Sequence, residues 1–235
     1  KGSALGFTES EYLTTMKKSY QMEELITKHS AIMDLYDPER RVALYVDEWG
    51  TWYDVEEGTN PGFLYQQNSM RDALVAVMNL SIFAHHADRV KMANIAQLVN
   101  VLQAVILTDK ERMLLTPTFF VFEQMTPHMD ATLVSSRLAS PMLEGGTPQL
   151  FETVTKAANG DLNITLANAS LTDTATLETI IDGGNYSSCS AVILSGAMDA
   201  HNTFDAPETV KTLPFEGVKL TQAGLIAELP PVSVV

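Results

Sequence analysis

Two carboxylates and two indoles, Asp47, Glu48, Trp49 and Trp52, follow directly on the apolar run Val42-Ala-Leu-Tyr-Val46. The run is rich in β-branched and aromatic types and reads as a strand buried on both faces, as in a parallel sheet. Acid and aromatic together at the carboxyl end of such a strand are what a barrel enzyme presents, because barrel active sites are built there. A carboxylate in that place can act as an ionised nucleophile or as a proton carrier. Taken alone, an acid after a strand is more often a loop or helix-cap residue, so the surrounding elements must decide between the two readings.

Before this strand, Thr8-x-x-Glu11 is a capping box that opens a helix from Glu9 to about Met33. Along that helix Tyr12, Leu13, Met16, Tyr20, Met22, Leu25 and Ile26 recur at helical spacing. After it, a loop from Asp54 to Tyr65 leads to Ser69-x-x-Asp72, which caps a second helix running to about Ala84. Arg89–Ile95 reads as a second strand, with a helix as the alternative, and Gln97, Asn100 and Gln103 follow it. Leu114-Leu-Thr-Pro117 breaks the pattern before a short helix, Thr118 to Met125. The order helix, strand, helix, strand predicts a parallel α/β arrangement with a right-handed crossover. Two strands cannot close a barrel, which needs eight, so the remaining strands are expected to come from elsewhere.

Past Asp130 the helical period disappears. Phe151–Thr155 and Leu162–Leu166 flank Asn159-Gly160, a strong hairpin signal. Thr174–Ile181, Ala191–Leu194, Val218–Leu220 and Leu225–Leu229 supply further short strands, and their spacing predicts an antiparallel sandwich. The expected division is therefore residues 1–129, α/β, and residues 130–235, all β. The 235 residues are 46% hydrophobic and carry a net charge of −14, which argues against a nucleic-acid partner. No apolar window is long enough to predict a membrane span. One cysteine, Cys189, fits a reducing compartment and predicts a cytoplasmic location, and its place at a strand start reads as a small buried apolar residue. His85-His86 lacks companions at ligand spacing, and neighbouring helix positions point apart, so no metal site and no cofactor are expected.

The run Val46-Asp-Glu-Trp-Gly-Thr-Trp-Tyr-Asp-Val55, followed by Gly58-Thr-Asn-Pro-Gly-Phe-Leu-Tyr-Gln-Gln-Asn68, closely resembles the family 51 glycoside hydrolases, the α-L-arabinofuranosidases. So do His86-Ala-Asp-Arg-Val-Lys-Met-Ala-Asn-Ile-Ala-Gln-Leu-Val-Asn-Val-Leu-Gln103, Leu115-Thr-Pro-Thr118, Met198-Asp-Ala-His-Asn-Thr-Phe-Asp205 and Leu229-Pro-Pro-Val-Ser-Val-Val235. The resemblance implies the C-terminal part of a (β/α)8 barrel, with strands seven and eight at Val42–Val46 and Val90–Ile95, followed by a jelly-roll-like β-sandwich. It implies a retaining exo-glycosidase that releases terminal arabinofuranosyl groups from arabinan, arabinoxylan or their oligosaccharides. Glu48 would be the nucleophile. The acid/base Glu after strand four has no match here, so the N-terminal portion of the same enzyme is an implied partner. Homo-oligomers, commonly hexamers, are implied as well.

Retaining hydrolysis needs two carboxyl groups roughly 5 Å apart. Glu48 must stay charged to attack, so hydrogen bonds are expected to hold its pKa down. Asp47, on the opposite side of the strand, reads as a salt-bridge or hydrogen-bond residue. Trp52, four residues past the nucleophile, is the expected sugar-stacking platform, and Trp49 is expected to pack in the interior. Gln97 corresponds to a Gln that holds the bound sugar in the family, and it is expected on the same rim as Glu48; its amide both donates and accepts. Asn94, Asn100 and Gln103 read as capping residues or sugar contacts, and His201 as packing. Two other functions remain open: a related retaining enzyme acting on xylosides or glucosides, and a non-catalytic carbohydrate-binding or interaction module.

Overall fold

The computed structural model describes residues 2–235. The first helix, α1 (Glu9–Tyr36), starts at the Thr8–Glu11 capping box, where the Thr8 N–H donates to Glu11 Oε2 over 2.8 Å. It runs three residues past its expected end and stops at Asp37. The Asp37 carboxylate there accepts from Val42 N–H and from the buried guanidinium of Arg89, at 2.7 and 2.8 Å. Arg89 also pairs with Asp34 and donates to the Val42 carbonyl at 2.8 Å, so both terminal nitrogens of this buried charge are matched.

Strand β1 (Leu44–Trp49) and strand β2 (Val90–Ile95) lie parallel, with Leu44 opposite Val90 and Trp49 opposite Ile95. Helix α2 (Met70–His85) joins them. Its apolar residues face every direction, and it is buried on nearly all sides, as such a helix must be. Burial of β1 on both faces is not what the structure shows: Tyr45 is 56% exposed, and the strand has β2 alone as its hydrogen-bonded neighbour. An apolar run signals a strand made for burial, but burial itself needs partner strands on both sides, and among the described residues β1 has one.

A hairpin that sequence periodicity did not signal follows β2: β3 (Ile106–Asp109) and β4 (Arg112–Leu115). Each strand is only four residues long, too short for alternation to stand out. Helix α3 (Pro117–Met125) then packs on α2.

The remaining strands are β5 (Thr132–Leu133), β6 (Leu150–Lys156), β7 (Leu162–Asn168), β8 (Ala175–Ile180), β9 (Ala191–Ser195), β10 (Leu213–Phe215), β11 (Val218–Leu220), β12 (Gly224–Leu229) and β13 (Ser233–Val234). They form a six-stranded sheet in the order β10-β9-β13-β7-β6-β5 and a three-stranded sheet in the order β11-β12-β8. The β6–β7 hairpin turns at Asn159-Gly160, where Gly160 takes a positive φ of 94°. Leu150, Leu166, Leu225, Ala227 and Leu229 fill the space between the two sheets. The other face of the six-stranded sheet places Phe151, Ala167, Leu194 and Val234 in one core with α1, α2 and β1. The apolar interior therefore runs unbroken across the expected division at residue 130.

Candidate active site

Parallel pairing brings the carboxyl ends of β1 and β2 to one rim, and the Ala96 N–H extends the ladder to the Trp49 carbonyl at 2.8 Å. Alternation along β1 decides where its last side chains go. Trp49 turns inward, 4% exposed, against the rings of Phe83 and Phe122 with centroids 5.5 and 6.1 Å away, as expected for a packing residue. Glu48 is exposed and reaches the wall of a cavity of about 450 Å³ between the N-terminal half of α1 and the segment after β1. Trp52, 51% exposed, borders the same cavity.

The carboxylate of Glu48 accepts no hydrogen bond and forms no ion pair among the described residues, so the donors expected to hold it ionised are not among them. Asp47 likewise is exposed and makes no side-chain bond among the described residues, which corrects its reading as a salt-bridge residue. It stands on the face of β1 that the rest of the chain leaves uncovered.

The turn after β1 is fixed far more firmly than the carboxylate before it. Gly50 has φ +128°, and a Cβ there would come within 3.3 Å of the Gln103 side chain. Thr51 is bonded through all three of its polar groups. Its N–H donates to Gln103 Oε1 at 2.9 Å, its hydroxyl donates to Asp72 Oδ1 at 2.7 Å, and its carbonyl accepts from Gln66 Nε2 at 3.2 Å. Gln66 also accepts from the Tyr53 N–H at 2.8 Å. Arg71 closes the base of the cavity. Its guanidinium lies between the faces of Phe7 and Tyr53, 3.5 and 3.9 Å from the ring centroids, and donates to the carbonyls of Ser3 and Ala4.

Two other carboxyls lie close to this turn and cavity. Glu11 lines the cavity, but Thr8 occupies it through backbone and hydroxyl donors and holds its pKa below the ordinary value. Asp72 is raised by burial, yet its oxygens are taken by Ser69 N–H and the Thr51 hydroxyl, and it has no solvent-exposed surface. Neither is free to pass a proton to a ligand.

Gln97 is exposed at the same rim, two residues beyond the end of β2, but it lines a separate groove with Leu64, Tyr65, Asn100 and Val101. Its backbone is fixed by Val101 and Val105, leaving the amide side chain for a ligand. Asn100 is a turn residue, exchanging bonds of 2.7 Å with Thr108 through both its amide nitrogen and its oxygen. Asn94 is exposed. Gln103 is neither cap nor sugar contact but a wholly buried tie, whose importance no local pattern announces.

His85 bonds Glu152 at 3.0 Å and His86 bonds Glu23 at 2.8 Å, so the two rings diverge to separate partners. His201 donates through Nδ1 to the carbonyl of Asp199. Its neighbour Asn202 is the buried residue of that loop, donating to the carbonyls of Leu115 and Val210 at 2.8 Å each. Cys189 is exposed, not buried: it sits in the loop ahead of β9, at the mouth of a second cavity of about 660 Å³ in the β region. That cavity is lined largely by apolar side chains, with Asp161 its one carboxylate among the described residues.

Residues 47–233 match the sequence family described as the α-L-arabinofuranosidase C-terminal domain. An intracellular exo-α-L-arabinofuranosidase of Bacteroides ovatus is 39% identical over 100% of this chain and 47% of its own length. An intracellular exo-α-(1→5)-L-arabinofuranosidase of Streptomyces lividans is 28% identical over 83% of this chain and 32% of its own length. The crystal structure of the family 51 arabinofuranosidase of Xanthomonas axonopodis pv. citri superimposes with a TM-score of 0.97 at 44% identity, covering all of this chain and 48% of that one. The chain thus spans about half the length, or less, of the relatives it matches.

Proposed function

This chain belongs to the α-L-arabinofuranosidases of glycoside hydrolase family 51, as their C-terminal portion, and from that premise we propose that it contributes the nucleophile of a retaining exo-arabinofuranosidase. The observation that carries the reading is Glu48 itself. It is a carboxylate without a partner among the described residues, at the carboxyl end of a parallel strand, on a cavity that it shares with the exposed indole of Trp52. A structural carboxylate would be spent on a cap or an ion pair, as Glu11 and Asp37 are.

In this reading β1 and β2 are the seventh and eighth strands of a (β/α)8 barrel, and residues 130–235 are the sandwich that follows it. Glu48 attacks the anomeric carbon of a terminal arabinofuranosyl group and forms a glycosyl ester as the leaving oxygen departs. Protonation of that oxygen, and later activation of water, fall to a carboxyl outside these residues, in the portion of the enzyme that precedes them in the relatives. The locked states of Glu11 and Asp72 support that division of labour. Trp52 stacks on the apolar face of a sugar ring, and Gln97 reaches a hydroxyl by donating and accepting at once. Gln97 lining its own groove fits a contact made from one side of a sugar that spans the rim. The substrates are arabinan, arabinoxylan and their oligosaccharides, in keeping with the α-(1→5) linkage in the name of the Streptomyces relative. Assembly as a homo-oligomer and a cytoplasmic location complete the proposal.

The test is Glu48→Ala in the complete enzyme, assayed on an aryl α-L-arabinofuranoside with and without sodium azide. Loss of turnover, restored by azide with the glycosyl azide as product, is expected. Undiminished turnover without azide would sink the assignment.

A further inference from the structure

Between Glu48 and Trp52 the chain makes one turn, and three separate elements hold that turn at Thr51. Gln66 bonds the turn locally, and Gln103 ties it to two helices. The Gln103 side chain is wholly buried, yet every polar atom on it is used: Oε1 accepts from the Thr51 N–H at 2.9 Å, and Nε2 donates to the Asp72 carbonyl at 2.8 Å and to the Thr118 hydroxyl at 3.1 Å. One amide therefore joins the turn after β1 to the first turns of α2 and α3. Packing at Gly50 leaves no slack, because the Gln103 side chain lies where a Cβ would begin to press on it.

The far end of this clamp is anchored as well. The N–H groups of Met70 and Arg71, which begin α2 and have no intrahelical acceptor, donate to the carbonyls of Ala200 and Met198 at 2.9 and 3.0 Å. A loop of the β region thus fixes the start of α2, α2 fixes Asp72, and Asp72 with Gln103 fixes Thr51.

We propose that Gln103 is a positioning residue for Glu48 and Trp52, acting through Thr51, an inference that rests on the reading of Glu48 as nucleophile. Filling space alone would call for an apolar side chain. Gln103 supplies both polarities to groups that no water reaches, and only an amide can accept from one neighbour while donating to two others. Without it the Thr51 N–H and the Thr118 hydroxyl lose their partner, and the turn is free to move relative to β1. Displacement of a reacting group by about 1 Å costs on the order of a hundredfold in rate.

The experiment follows single-turnover labelling of the complete enzyme by an arabinofuranosyl inactivator carrying an activated phenolate leaving group. The carboxylate oxygen bonds to the anomeric carbon while the phenolate departs with the bonding pair, and the ester that remains hydrolyses slowly. Intact mass gives the fraction of molecules labelled, peptide mapping gives the residue, and phenolate release gives the rate constant. Gln103→Met and Thr51→Val are expected to label Glu48 to the same final stoichiometry as the parent, about tenfold or more slowly. Thr51→Ser, which keeps the hydroxyl, should label at nearly the parent rate. A purely structural role would lower the labelled fraction and leave the rate constant of the labelled molecules unchanged, and that result overturns the proposal. Thr51→Val tests the Asp72 arm alone, since it keeps the backbone N–H that Gln103 accepts from; where Gln103→Met fails to fold, Gln103→Asn, whose shorter side chain withdraws the amide from that N–H, carries the same test. A label found on a residue other than Glu48 in the parent enzyme would overturn the nucleophile reading first, and the positioning proposal with it.

Discussion

β1 and β7 begin from different patterns, the continuous apolar run Val42–Val46 and the alternating Leu162–Leu166, and end in different circumstances. β7 is paired on one edge by β6 and on the other by β13, and its last residues, Thr165 to Asn168, are buried. β1 is paired by β2 alone, and Tyr45, Asp47 and Glu48 face outward. A polar group near the end of each strand, Asn168 buried and Glu48 exposed, makes the same point. Asn168 uses its amide nitrogen on the carbonyls of Asp173, Leu229 and Pro230 and its oxygen on Gln149 and Ser170, all within the β region. Glu48 uses neither oxygen among the described residues. β7 is completed by the chain's own residues, whereas β1, the strand proposed to carry the nucleophile, leaves its carboxylate uncommitted among the described residues and commits the turn beside it.

That contrast can be broken experimentally, and the largest effect belongs to Glu48. Glu48→Ala should lower turnover on an aryl arabinofuranoside by on the order of 10⁴-fold or more, as loss of a covalent catalyst does. Its unfolding free energy should stay within about 0.5 kcal/mol of the parent in a denaturant titration, because an exposed side chain without partners is removed. A large loss of stability would mean that the carboxylate is structural after all.

The reverse pattern is expected in the β region. Leu229→Ala empties a wholly buried site between the two sheets and should cost about 2–5 kcal/mol, read as a lower denaturation midpoint, with the turnover of the folded fraction unchanged. Asn168→Ala strips three carbonyls and two donors of their partner and should cost about 2–4 kcal/mol by the same measurement.

A smaller effect should follow pH through His85 and Glu152, which join the end of α2 to β6. The Glu152 hydrogen bond, more than its charge, raises the His85 pKa above 6.5 against the opposing pull of burial. Burial pushes Glu152 up, but the bonds and charge of His85 and the Ser136 bond outweigh it and leave the carboxyl below 4.5. The histidine's contribution is fully present below its unfolded value and is lost as pH rises through its raised folded value. The carboxylate's is present above its unfolded value and is lost as pH falls through its depressed folded value. Together they are strongest between about pH 4.5 and 6.5. Because His85 remains 40% exposed and solvent screens it, the term is on the order of 0.5 kcal/mol. Melting curves from pH 5 to 8 should show a mild decline in the parent that Glu152→Gln removes; identical profiles would discard the pair as a stabilising contact. Smallest of all, Cys189→Ser should shift the melting curve by less than about 0.5 kcal/mol, since the thiol is exposed.

Much of this was legible in the residues. Thr8-x-x-Glu11 and Ser69-x-x-Asp72 placed two helix starts, because a cap is a local hydrogen-bond pattern that needs nothing beyond its own turn. Asn159-Gly160 placed the β6–β7 hairpin for a similar reason, and Trp49 and Trp52 were assigned opposite environments in agreement with their burial. The readings that failed depend on distant partners. Cys189 looked like the start of a strand and lies in a loop. Asp47 was expected to find a salt-bridge or hydrogen-bond partner, and among the described residues none reaches it. β13 pairs over only two residues and exists because β7 and β9 are there to hold it.

The sequence by itself determined the longer helices and strands, the parallel strand with its terminal carboxylate, and the family, since these rest on local periodicity and on contiguous motifs. Tertiary structure alone decided that Asp72, read in the sequence as a helix cap, and Gln103, read as a cap or sugar contact, meet at Thr51. Their side chains come from segments 21 and 52 residues further along the chain, and a hydrogen bond between such segments leaves no periodic trace in either of them.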